Sequence, residues 1–152
     1  MKAETTTQIK FVQLATGYNM SIPARATPGS AGFDLRAAIT EPLTLYTLDR
    51  VRVPTGFAVQ IPDGFEGQVR PRSGLAWKHG VTVLNAPGTI DADYRGPLDV
   101  LLINLGRAPF TIERGDRIAQ LVVVPVPLVD AIEVDALDET ARRGGFGSTG
   151  IG

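Results

Sequence analysis

Glycine and proline punctuate this chain from end to end, 17 and 11 of them in 152 residues, so no stretch is left for a long amphipathic helix. The segments between these breaks are short and rich in β-branched and aromatic residues. They predict strands at 8–14 (QIKFVQL), 43–48 (LTLYTL), 50–54 (RVRVP), 56–61 (GFAVQI) and 67–71 (GQVRP). Further strands are predicted at 81–85 (VTVLN), 98–105 (LDVLLINL), 110–114 (FTIER) and 117–126 (RIAQLVVVPV). Turn sequences such as PDGFEG and NLGRAP separate them, and strands at this spacing suggest an all-β sandwich or jelly roll. One stretch, SGLAWKHG at 73–80, is expected to form a short helix.

The length suits one domain with one core, placed at 1–137, followed by a glycine-rich segment at 138–152 that is expected to be mobile until something binds. A hydrophobic content of 43% with 20% charged residues fits a soluble globular chain. The most apolar run, LVVVPVPLV at 121–129, is too short and too proline-rich to cross a bilayer, so no membrane partner is expected. MKAETTTQIKFVQL at the start lacks an apolar core for a cleaved signal, which points to a cytoplasmic setting. Zero cysteines exclude disulfides and thiol chemistry, and the single histidine, His79, leaves any metal to be a hard ion on oxygen ligands. Mixed charges summing to −1 argue against polymeric nucleic acid and leave a small anionic ligand open.

Five segments carry polar chemistry. LNAPGTIDADYRG (84–96) reads as a hairpin with a Pro87-Gly88 turn whose free backbone groups could read the edge of a flat ligand, with Asn85 adding a donor and an acceptor. Asp91 follows the apolar Ile90, where alternation would bury part of a carboxylate suited to general-base work; Asp93 and Tyr94 lead into the returning strand. The plain alternative is turn decoration. RPRSGLA (70–76) sets Arg72, Ser73 and Gly74 at a strand-to-helix junction, either a phosphate contact or a capping serine beside a surface arginine. In RGDRIAQL (114–121), Gln120 is the odd polar residue of a core strand: a satisfied amide or a ligand contact. Asp34 in AGFDLRA (31–37) points away from Phe33 and Leu35, toward solvent. RRGGFGSTG (142–150) offers Arg143, Phe146, Ser148 and Thr149 on a glycine backbone that is either disordered or able to wrap phosphate. Trp77 and His79 read as packing residues.

Taken in order, these five segments resemble the ordered motifs of the trimeric deoxyuridine triphosphate nucleotidohydrolases, the dUTPases, over residues 31–150. The resemblance implies a β jelly-roll subunit in a homotrimer whose three active sites each draw on all three chains, with Pro125 and Pro127 where a C-terminal arm leaves for a neighbour. It implies that Asn85, Gly88, Thr89 and Ile90 form the uracil pocket, that Tyr94 packs on deoxyribose, and that Asp93 supports the turn. Asp91 becomes the base that activates water for in-line attack on the α-phosphorus of dUTP, releasing dUMP and pyrophosphate. That activity limits uracil in DNA and supplies dUMP for thymidylate synthesis. Arg72, Ser73, Gly74 and Gln120 hold the triphosphate, and Mg2+ bridges its oxygens with Asp34 orienting a metal-bound water. The last segment closes over the site, Phe146 stacking on uracil and Arg143, Gly147, Ser148 and Thr149 meeting the phosphates. Two alternatives stand beside this reading. A dCTP deaminase would carry a glutamate where this chain has Leu101, although Asp99 lies two positions away on the same face; a non-catalytic jelly-roll module would bind a protein or a carbohydrate.

Overall fold

Burial alternates along the strand Pro97–Asn104: Leu98, Val100 and Leu102 are fully enclosed while Asp99, Leu101 and Ile103 face outward. That period of two lets one side of a sheet build the core while the other stays free for binding. The computed structural model describes residues 7–141, 144 and 145. In chain order the strands are β1 (Lys10–Gln13), β2 (Gly32–Arg36), β3 (Leu43–Leu45), β4 (Arg50–Gln60) and β5 (Phe65–Arg70). The helix α1 (Ser73–His79) follows, and then β6 (Val81–Val83), β7 (Gly88–Ile90), β8 (Pro97–Asn104), β9 (Phe110–Ile112) and β10 (Arg117–Pro125).

All pairings between these strands are antiparallel, in two four-stranded sheets ordered β1-β4-β8-β6 and β2-β10-β5-β7 and a ribbon of β3 with β9. Leu35, Val69 and Leu121 of the second sheet meet Val53, Val83, Leu98, Val100 and Leu102 of the first in a single cluster, joined by Leu45 and Ile112 of the ribbon. The all-β expectation and the helix at 73 both hold.

Three expectations need correction. The strands predicted at 50–54 and 56–61 are one strand, β4. Pro54 is tolerated because its carbonyl accepts from the Ala38 N–H, off the β4–β8 ladder, so the N–H that proline lacks falls on that same side. Gly56, at φ +83°, carries the chain through the irregularity that follows. Two strands were not anticipated, β2 and β7, both short and each held by a longer neighbour, β10 and β5. Residues 84–96 are not a self-paired hairpin: β6 pairs with β8 and β7 with β5, so Leu84–Pro87 cross from one sheet to the other.

Buried polarity is concentrated in Asn104, which is fully enclosed. Its Nδ2 donates to the carbonyls of Leu45 and Ala108, both at 2.9 Å, and its Oδ1 accepts from the Gly106 N–H at 2.8 Å. Gly106 must be glycine, since a Cβ there would strike the His79 carbonyl. Asn104→Leu keeps the branched outline of the side chain and orphans three backbone groups, so we expect a loss of about 3 kcal/mol. A fall in the melting temperature of roughly 10 °C follows, measurable by calorimetry.

Candidate active site

One half of the site lies on the outward face of the second sheet. Asp34 stands opposite Gln120, and Gln120 opposite Arg70, so the three share a row across β2, β10 and β5. Leu35, Ala119 and Leu121, on the other face, are buried. Gln120 donates to the Pro71 carbonyl at 3.0 Å and has room because position 32 is glycine; a Cβ there would fall 2.6 Å from its Oε1.

Strict alternation would put Arg117, three residues before Gln120, on the opposite face. A register shift between Arg117 and Ala119 changes this, pairing Arg117 with Arg36 while Ala119 pairs with Leu35. Ile118 and Ala119 are then both buried, and Arg117 emerges beside Asp34, its Nη1 3.5 Å from Oδ2. Arg72, the residue that caps α1, approaches the other carboxylate oxygen at 3.9 Å and donates to the Arg117 carbonyl at 3.1 Å. Asp34 is therefore no solvent-facing residue: two guanidinium groups converge on it, its side chain only 19% exposed. A cavity of about 550 Å³ bounded by Arg25, Asp34, Arg36 and Arg117 opens on one side, and one of about 280 Å³ bounded by Arg72, Asp116 and Arg117 on the other. Such a ring of cations suits a polyanion.

Ser73 is not the capping residue. Arg72 occupies that position with no side-chain cap, leaving Ser73 and Gly74 exposed in the first turn. Trp77 is almost wholly exposed, whereas His79 packs its ring 4.8 Å from that of Phe110.

The other half lies at the crossover between the sheets. Asn85, Gly88, Thr89 and Ile90 line a cavity of about 150 Å³ together with Val69, Arg52, Asp99 and Leu101. A space of that size holds one six-membered ring. The sequence reading placed the first four residues here and missed Arg52 and Val69. Beyond Ile90 the chain turns, the Tyr94 N–H donating to the Asp91 carbonyl at 3.1 Å. Tyr94 folds back over Gly96 so that its hydroxyl donates to the Pro97 carbonyl at 2.7 Å; a Cβ on Gly96 would lie 2.6 Å from that oxygen. Asp91, expected to be partly buried, is exposed, as is Asp93.

The two halves do not meet within one chain. Gly67 is opposite Ile90, so Asp91 comes level with Glu66, four positions along β5 from Arg70 and the Gln120 row, and two strands across from β10. At about 3.3 Å per residue and 4.8 Å per strand this separates Asp91 from Gln120 by roughly 16 Å. Arg143, Phe146, Gly147, Ser148 and Thr149 lie outside the described residues.

A ring-sized pocket and an arginine cluster on an all-β scaffold suit a nucleotide-binding protein. The chain matches the dUTPase family over residues 18–150 and belongs to it. It is an enzyme of that kind, a dUTP diphosphatase. It is 56% identical over 151 residues to the deoxyuridine 5'-triphosphate nucleotidohydrolase of Rhizobium etli (strain CIAT 652), covering 97% of each chain. To the protein of that name from Caulobacter vibrioides (strain NA1000 / CB15N) it is 57% identical over 146 residues, 94% of each. Among solved structures it superposes on a mutant dUTPase of Staphylococcus bacteriophage 80alpha with dUpNHpp, at a TM-score of 0.84 and 27% identity over 96% of this chain and all of that one. A mutant dUTPase from phage phi11 of S. aureus, described with a structural Mg(II) ion, aligns at 0.76 and 25% identity over 85% and 97%.

Proposed function

We propose that the chain forms a homotrimer of jelly-roll subunits in the cytoplasm and hydrolyses dUTP to dUMP and pyrophosphate at sites shared between subunits. The observation that carries this is the roughly 16 Å between Asp91 and the Gln120 row. Base pocket and phosphate cluster lie on opposite sides of β5, so a nucleotide seated in the pocket draws its phosphate grip most simply from outside its own chain. A second copy supplies it. The extended segment after β10 supports the same arrangement, since Leu128, Val129, Ile132 and Leu137 are exposed along it and lack a covering surface in their own chain.

In this reading Asn85, Gly88, Thr89 and Ile90 hold uracil, and Tyr94 carries the deoxyribose. Arg72, Arg117 and Gln120 grip the triphosphate, with the exposed Ser73 and Gly74 turn beside them. Asp91 accepts a proton from a water whose oxygen bonds to the α-phosphorus as the bond from that phosphorus to the bridging oxygen breaks. Pyrophosphate departs and dUMP remains, available for thymidylate synthesis while uracil is kept out of DNA. Among the described residues no group of three or more acidic or histidine side chains could hold a metal; in this reading magnesium would arrive on the triphosphate. Asp34, between the arginines, would meet its waters. When bound, the ion neutralises phosphate charge and polarises the phosphoryl oxygens. The segment 138–152 closes over the loaded site, Phe146 on the base and Arg143, Gly147, Ser148 and Thr149 on the phosphates.

The test offers dUTP, dCTP, dTTP and UTP in magnesium and scores pyrophosphate, monophosphate and ammonia. Pyrophosphate and dUMP from dUTP alone are expected. Ammonia from dCTP would return the deaminase reading, and no turnover would return the binding module.

A further inference from the structure

The wall of the base pocket contains an ion pair that the proposed reaction does not use. Asp99 projects from the outward face of β8, its Oδ2 3.2 Å from Nε of Arg52 on β4. The two are diagonal across the ladder, Arg52 standing opposite Leu101 and Asp99 opposite Pro54, a separation that a long side chain spans. Both residues line the cavity that holds Asn85, Gly88, Thr89 and Ile90. The carboxylate is mostly covered, its side chain 23% exposed, while the guanidinium reaches in from solvent at 74%. An exposed partner of this kind adds little to stability. Its consequence lies in what the pair presents to a ligand.

Uracil and cytosine differ along one edge. Uracil offers an N3–H donor between two carbonyl acceptors. Cytosine offers an unprotonated N3 beside an amino donor at C4. An unpaired carboxylate in the pocket wall, which can only accept, would welcome that amino group and repel the C4 carbonyl of uracil. Paired, the carboxylate has its charge offset by a guanidinium whose Nε lies 3.2 Å from Oδ2, and a guanidinium brings N–H donors suited to a carbonyl. We propose that Arg52 is a specificity-determining residue: by holding Asp99 it converts a pocket wall that would favour cytosine into one that favours uracil. The inference rests on the reading of residues 84–96 as the base seat. It also accounts for an acidic residue on β8 without giving it acid–base chemistry.

The experiment compares kcat/KM for dUTP and dCTP, followed as pyrophosphate release, in the full chain. Arg52→Ala should lower the dUTP-to-dCTP ratio about tenfold, the worth of one hydrogen bond gained by the wrong base. Arg52→Lys, which keeps a cation beside Asp99, should hold the wild-type ratio. The double variant Arg52→Ala with Asp99→Ala should recover it, since no unpaired acceptor remains. Arg52→Gln is measured in parallel, so that a truncation that disturbs assembly does not decide the matter. A ratio that ignores removal of the Arg52 charge overturns the inference, as does a double variant no more selective than Arg52→Ala. A wild type with no preference for dUTP removes the reading of the pocket and this inference with it, a result distinct from a selective wild type indifferent to Arg52.

Discussion

Replacing Asp91 by asparagine is expected to lower dUTP turnover about 10³-fold while a non-hydrolysable dUTP analogue binds nearly as before. Asparagine is isosteric and keeps an oxygen toward water, but it cannot take the proton that the attacking water must lose. The residue is exposed at the end of β7, so little stability hangs on its charge. Its backbone carbonyl, which closes the turn to Tyr94, is untouched by the change. Steady-state rates beside equilibrium binding separate these effects. Loss of binding in parallel with turnover would assign Asp91 to the pocket wall, and unimpaired turnover would move the base elsewhere.

A second large effect is expected from mixing two dead subunits. Arg72→Ala removes a guanidinium from the phosphate cluster, and Asp91→Asn removes the base; each homotrimer should be nearly inactive. In the proposed shared site the two residues belong to different halves, so a mixed trimer would pair the intact Arg72 of one chain with the intact Asp91 of another. Random assembly from equal amounts leaves one ordered neighbour pair in four fully equipped, so about a quarter of the wild-type activity should return on co-refolding. Recovery in a concentration-dependent manner would measure the exchange of subunits directly. No recovery, with mixed trimers demonstrated by mass, would place both residues in one chain's site and overturn the shared arrangement.

Much of this was legible from residue order. The alternation in LDVLLINL and the apolar run of RIAQLVVVPV declared strands because their buried faces are long enough to show a period. GFDLR and GTI are strands too, but each is three to five residues long and is fixed by its neighbour's ladder rather than by its own composition. Likewise Asn85, Gly88, Thr89 and Ile90, neighbours in sequence, share a cavity, whereas Arg52 enters the same cavity from a strand about thirty residues earlier. No local pattern announces that approach. Arg117 was hidden for a different reason. Counting by twos from Gln120 puts it on the wrong face, and only the extra residue at Ile118 turns it toward Asp34. The only trace of it in the sequence is the adjacent apolar pair Ile118 and Ala119, which a continuous apolar strand shows equally well.

The path of Leu84–Pro87 between the two sheets has a mechanical side. Val69 and Gly88–Ile90 belong to one sheet, Arg52, Asp99 and Leu101 to the other, so the cavity is a seam. A ring wedged into it rests on both sheets at once and acts as a keystone against their sliding. In the proposed reading the nucleotide base is then a structural member for as long as it stays, and part of its binding energy goes into stiffening the two sheets around it.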